Sequence, residues 1–525
     1  MVRLSIATLS LLGVTAFALM AWAEDTKPVK TETVIAKLSP TPTAIASATV
    51  GDHHAAARKF VGSTSCAAAN CHGGDGIDRR HNSGFSVVGS EYSYWVQNDI
   101  HAQAYNVLFN DVSRSMAEAL NAAKPAKDRR EAHEMKECLA CHSPNAAGPV
   151  NFDPKHHTLT DGVGCESCHG AAGDWLSPHI QPDWKLKSKK EKEALGYRAT
   201  DDLLTRAKVC SECHIGGANR DANHDFYAAG KGHPRLYFEM SAFHANIRKH
   251  WVPQVDHCLN STDAELRKTV KAKGISALPP TMNNVHSNFE AKLWAVGQLA
   301  SAEAAVLTLK DRMKRDVLPE YAHYDCFACH SDLNGGNQRQ QESYLKTRIV
   351  GRPAWGTRMF PVLRETTNWH GVKLDKDSAF GHIFLKLSKW QTPDGKHVAA
   401  LEDQLNKAAN KINADDFSAK SMKSLMHDIA GWESKFVSRN WDGAAQSYLA
   451  LVALHRGSIE MGRGVGITPN KDERRIAEAL EKIRNELRFP DGYNSPASYN
   501  NQTDKGSQVI IKKNLKVIRD LTSSP

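Results

Sequence analysis

The sequence predicts a mainly α protein in two parts, a motif-rich domain with little regular structure followed by a helical C-terminal domain. Three observations predict it. Between about 59 and 340, short Cys/His motifs alternate with stretches bearing Gly and Pro, and long regular runs are scarce. Within that region "NFEAKLWAVGQLASAEAAVLTLKDRMKR" repeats Phe289, Leu293, Val296, Ala300 and Leu307 at helical spacing, so one long helix is expected. Beyond about 341 the cysteines stop and amphipathic segments take over.

In chain order, Met1, Val2 and Arg3 precede the apolar run "LSIATLSLLGVTAFALM", which closes in Ala21-Trp22-Ala23 before Glu24 and Asp25. Residues 1–23 read as a secretory signal peptide with a small-residue cleavage site. An uncleaved membrane anchor is the alternative, and it is the one expected route to a membrane. Residues 24–58 are rich in Thr, Pro and Ala with no apolar period, as a flexible linker is. The body of the protein is therefore expected to be soluble and periplasmic or otherwise exported. In 341–525, "SMKSLMHDIAGWESKF" and "NWDGAAQSYLALVALHRG" read as helices. Ile476, Leu480, Ile483 and Leu487 form a further stripe between "TPNKDE" and Pro490-Asp491-Gly492. Packing or oligomerisation is the expected role of these helices, with His427 and His455 as structural or surface residues.

The chain has 11 cysteines. Ten form close pairs: Cys66 with Cys71, Cys138 with Cys141, Cys165 with Cys168, Cys210 with Cys213, and Cys326 with Cys329. A histidine follows each pair at once, namely His72, His142, His169, His214 and His330. At this composition a single C-x-x-C-H is expected roughly 0.01 times by chance. Disulfides and redox C-x-x-C pairs have no use for that histidine, and zinc sites need converging ligand pairs with other spacings. Covalent haem c does need it: two thiols add across the vinyl groups, and the adjacent imidazole comes under the iron as proximal ligand. Five covalently attached haems are expected, filling a multihaem cytochrome domain over 59–340.

The first motif, "CAAANCH", has four residues between its thiols, so the loop from Ala67 to Asn70 must bulge outward. A Cys66–Cys71 disulfide is the competing reading. Cys258 is unpaired and reads as a buried free thiol, with an iron or intermolecular role as the alternative. For the sixth iron positions the candidates are His101, His179, His224 and His233, followed by His81, His156, His157 and His323. If the first four all bind, at most one iron stays open, and the first motif with its widened loop is the expected one.

"LTDGVGCESCHG", with "KECLACH" upstream and "VCSECHI" downstream, resembles the cytochrome c-554-like multihaem family over roughly 60–240. The resemblance implies an electron carrier. "DIHAQA" is similar to the segment that supplies a distal histidine there, which gives His101 a ligand role, and His179 matches a second distal position. The widened first motif, the fifth motif and the C-terminal helices depart from that family's tetrahaem pattern. The carrier role therefore transfers more safely than its partner, hydroxylamine oxidoreductase.

The formal charge is +9. Loss of Arg3, ten propionates and five ferric centres bring the holoprotein to about +3 oxidised and about −2 reduced. The basic excess compensates propionates, and no nucleic acid is expected. "KLKSKKEK" at 185–192 is either a solvated face or a docking patch for an acidic redox partner. Two functions remain open. One is exported electron transfer between redox proteins, and the other is an oxidoreductase acting on a small nitrogen or sulfur compound at one five-coordinate haem. No residue is assigned a catalytic role.

Overall fold

A computed structural model describes residues 59–74, 88–144, 159–326, 329–330, 355–414, 417–431, 441–488 and 505–523. The signal segment, the linker, His81, His156, His157 and Pro490–Gly492 lie outside the described residues. Among those described, the chain is helical, and β structure is limited to three isolated bridges. No helix of the described residues is long and apolar enough to cross a membrane.

The helices that position the site are α1 (Glu91–Asn98), α2 (Lys136–His142), α3 (Cys165–His169), α4 (Leu203–His214), α5 (Met240–Asn246) and α6 (Phe289–Lys314). In the C-terminal region a short helix, Leu363–Trp369, precedes α7 (Ala379–Ser388), α8 (Gly395–Ala414), α9 (Ala419–Ala430), α10 (Trp441–Arg463), α11 (Lys471–Leu487) and α12 (Lys505–Thr522).

The long helix expected between the fourth and fifth motifs is α6. Its apolar residues are not confined to one stripe: Leu293, Trp294, Val296, Leu299, Val306 and Leu309 are all fully buried. A helix apolar on every side must be enclosed. Accordingly α6 packs against α4 and α5 of the motif region and against α8 and α10 of the C-terminal region. The closest approach is at Gly297, where a Cβ would stand 2.3 Å from the Met240 Cβ of α5.

Amphipathic patterning sets the rest. Ile476, Leu480, Ile483 and Leu487 of α11 are buried against α10 and α12. The start of α11 is a capping box, in which Asn470 Oδ1 accepts from Glu473 N at 2.9 Å and the Glu473 carboxylate accepts from Asn470 N at 2.6 Å. One hydrophobic cluster runs from Leu203 through α6 to Ile518. The Arg235 guanidinium joins both regions by donating to both oxygens of buried Asp442 at 2.6 Å. Cys258 is a fully buried free thiol packed with Val270 and Val285, and burial pushes it up to about 11.

Candidate haem sites

Three of the motifs end a helix. Cys138 and Cys141 lie on α2, Cys165 and Cys168 on α3, and Cys210 and Cys213 on α4, and the motif histidine is the last helical residue each time. Helical spacing of three places both thiols of a pair on one face, where they can meet one porphyrin edge. After His169 the chain must turn sharply at Gly170 (φ 84°), where a Cβ would stand 2.1 Å from the Gly196 carbonyl oxygen. The first motif follows a 3₁₀ turn, Ser63–Cys66. Its extra residues bulge outward as the spacing requires, with Ala68, Ala69 and Asn70 exposed, and His72 N donates back to the Cys66 carbonyl at 3.2 Å. All eleven thiols are free, Cys66 and Cys71 included.

The residues between the cysteines fasten one motif to another. Glu166 of the third motif is buried and accepts from Val61 N at 3.0 Å, Gly62 N at 2.8 Å and Ala172 N at 2.7 Å, which anchors the chain entering the first motif. Glu212 of the fourth motif accepts from Arg198 at 3.3 Å and from Arg220 at 2.7 Å. Arg198 also donates to the Ser167 carbonyl of the third motif at 3.4 Å, and Arg220 to the Ala140 carbonyl of the second at 2.9 Å. The sulfurs follow the same order. The Cys66 thiol lies beside that of Cys165 and the Cys141 thiol beside that of Cys213, close enough for each to shift its neighbour's titration, and Cys210 and Cys213 act on Cys168 in the same way. Neighbouring sites thus run first, third, fourth, second. The fifth adjoins the second, because Cys326 lies within electrostatic reach of Tyr227 and Arg235, and the Tyr227 ring contacts His233 at 6.2 Å.

Each motif histidine faces a second histidine at nearly the same separation. Ring centroids are 6.3 Å apart for His72 and His179, 6.4 Å for His142 and His233, and 6.3 Å for His169 and His250. They are 6.2 Å apart for His214 and His101, and 6.3 Å for His330 and His224. Two imidazoles on one metal ion, with metal–nitrogen bonds of about 2 Å, have centroids roughly 6.3 Å apart. The donor set therefore fits five irons, each between two imidazoles.

The outer nitrogens of six of these ten rings carry the partners expected of metal-bound histidines. His72 Nδ1 bonds the Glu91 carboxylate of α1 at 2.8 Å, and His101 Nδ1 bonds Asp99 at 2.9 Å. His142 bonds the Ala104 carbonyl and His233 the Pro234 carbonyl, both at 2.7 Å, and His179 bonds the Leu176 carbonyl. His169 Nδ1 reaches Thr200 Oγ1 at 3.4 Å. Burial drives both His169 and His214 down to about 4 and lowers His142, His233 and His250, so these rings are neutral near pH 7, as ligands must be. The Glu91 hydrogen bond raises His72; in His101, burial opposes the charge, but the hydrogen bond and the negative charge of Asp99 together outweigh it.

All four first-choice distal candidates stand opposite a motif histidine. The fifth position was missed. His250, in "RKHWVP", stands opposite His169, with its Nδ1 buried and without a partner among the described residues. A signal existed, since His179, His233 and His250 all have a proline within three residues in an irregular stretch between motifs. The expectation that the first site is the open one is corrected. The longer loop bulges without turning His72 away, and His179 faces it. His323 serves elsewhere, accepting from Arg312 at 2.7 Å and stacking on Trp355.

Residues 65–170, which span the first three motifs, match the family model described as cytochrome c554 and c-prime. No curated protein and no solved structure matches the chain.

Proposed function

We propose that this chain, cytochrome c-554-like over 65–170, is an exported pentahaem cytochrome whose task is electron transfer, with every iron closed by two histidines. The reading rests on one observation above all, the five opposed histidine pairs with centroids between 6.2 and 6.4 Å. An oxidoreductase working at an open iron would need a motif histidine with no imidazole across from it. Bound haem c supplies a one-electron Fe(III)/Fe(II) couple, whose potential depends on axial ligands, hydrogen bonds and nearby charge.

The chain's own groups do the rest. Ten cysteines, in the pairs Cys66/Cys71, Cys138/Cys141, Cys165/Cys168, Cys210/Cys213 and Cys326/Cys329, fix the five groups covalently. His72 with His179, His142 with His233, His169 with His250, His214 with His101, and His330 with His224 close the irons. Glu91 and Asp99 accept from ligand imidazoles and favour the ferric state at the first and fourth sites. Glu166, Arg198, Glu212 and Arg220 hold neighbouring motifs in the order first, third, fourth, second, and the fifth extends the row. Export is supported by the signal-like residues 1–23 and by the haem c chemistry. Protein-film voltammetry combined with intact mass tests the assignment. Five added haems, five electrons per chain and no catalytic current with nitrite or hydroxylamine are expected. A catalytic wave, or fewer than five haems, would overturn it.

A further inference from the structure

From the fifth site an aromatic path reaches the surface. His224, facing His330, meets the Tyr321 ring edge-on at 5.5 Å; Tyr321 meets Trp390 at 6.0 Å, and Trp390 leans on Tyr324 at 4.7 Å. Glu320 fixes the junction by accepting from both His224 N (2.8 Å) and Ala322 N (2.9 Å).

The end of this path is apolar and open to water. Tyr321 is 59% exposed, Trp390 40% and neighbouring Val317 41%. Trp390 has φ 59°, a left-handed conformation that a bulky non-glycine residue seldom adopts. An indole held outward on strained backbone is the kind of outlier from which a function is inferred.

The rim is basic. Lys386 in the last turn of α7 and exposed Lys389 just before Trp390 make no ion pair among the described residues, whereas of the exposed acids close in the chain, Asp316 and Asp394, the second is paired with His397 at 3.5 Å. The lysine run at 185–192 also carries free charge, at exposed Lys185 and Lys190, but the tryptophan beneath it, Trp184, is buried. Lys187 bonds Asp183 at 2.7 Å, Lys189 bonds Asp202 at 3.0 Å, and Lys192 covers the Trp184 ring.

We infer that the surface formed by Val317, Tyr321, Lys386, Lys389 and Trp390 docks a small acidic redox protein and is where electrons cross between that partner and the fifth haem. The inference rests on the pentahaem reading. An apolar centre with a charged rim is the anatomy of a protein–protein interface, and the lysine rim selects a partner whose redox group is ringed by carboxylates. One electron passes from the partner's reduced centre to the ferric iron, so the partner is oxidised and the haem reduced by one electron, with no proton or bond exchanged.

Stopped-flow reduction of the full pentahaem protein tests this, using reduced flavodoxin as the acidic probe and an uncharged reduced flavin as the control. The double variant K386E/K389E should be reduced by flavodoxin about tenfold more slowly at low ionic strength, with the gap closing as salt screens the charges. Trp390→Ala should be slower at every ionic strength. Both variants should match the parent with the free flavin and keep five low-spin haems. Parental flavodoxin rates in both variants overturn the inference, as does a loss confined to K187E/K189E. A parent protein lacking the fifth haem by intact mass would instead sink the pentahaem reading.

Discussion

Asp99→Asn isolates a charge from a shape. The Asp99 side chain is 5% exposed, and one of its oxygens accepts both from His101 N at 3.0 Å and from His101 Nδ1 at 2.9 Å. An asparagine oxygen can accept the same two bonds, so the cap of the following turn survives while the negative charge goes. An iron bound midway between His101 and His214, whose ring centres are 6.2 Å apart, would lie about 3.1 Å from the His101 ring centre. Adding the ring and the hydrogen bond places the carboxylate roughly 7 Å from the iron, where an effective dielectric of about 20 gives about 2.4 kcal/mol between unit charges. For a one-electron couple that is on the order of 100 mV, at 59 mV per factor of ten. The carboxylate favours the ferric state, so its removal should raise the fourth haem's midpoint potential by about 50–100 mV once residual screening is allowed for. The third haem should follow by less, because Asp99 also acts on His250. Spectroelectrochemical titration of parent and variant reads this directly. An unchanged or lowered potential, with the low-spin spectrum intact, would refute the reasoning.

Other substitutions probe the ligands and the scaffold. His250→Ala should leave one high-spin iron that binds cyanide quickly, whereas His244→Ala should not, because His244 Nε2 is engaged by Arg206 at 2.9 Å. Gly297→Ala should lower stability by about 1–3 kcal/mol in thermal unfolding, the reverse of the usual helix-propensity gain, because the added methyl meets Met240. Buried His455 on α10 is driven by burial to about 4, below its unfolded value near 6.5. The unfolded chain therefore binds the extra proton between those limits, and stability falls as pH drops from 6.5 towards 4 by about 1–3 kcal/mol. His455→Gln should flatten that part of the curve in denaturant titrations at pH 7 and pH 4.5, and an unchanged slope would count against it.

Local chemistry was legible in the sequence wherever one short stretch carries it. The helix period of Ile476 to Leu487 after "TPNKDE" announced α11, whose first turn the Asn470–Glu473 capping box closes. The long run after Phe289 announced α6, although its burial on every side depends on helices that come later in the chain. What the sequence withheld is pairing across distance. Nothing near His72 points to His179, and nothing near His330 points to His224; the fold brings them together through Glu166, Glu320 and the arginines between motifs. His250 was hard to see for the same reason. His244 and His257 flank it on neighbouring helices, and the sequence does not reveal that one bonds Arg206, that the other lies 3.5 Å from Glu460, or that His250 alone of the three faces a motif histidine.

Low-temperature electron paramagnetic resonance of the oxidised protein, with spins counted against haem content, tests the closed pentahaem array most directly. The account predicts five low-spin ferric centres per chain and a spectrum that does not change when cyanide or nitric oxide is added. A high-spin ferric signal in the unmodified protein, at any of the five sites, would contradict it.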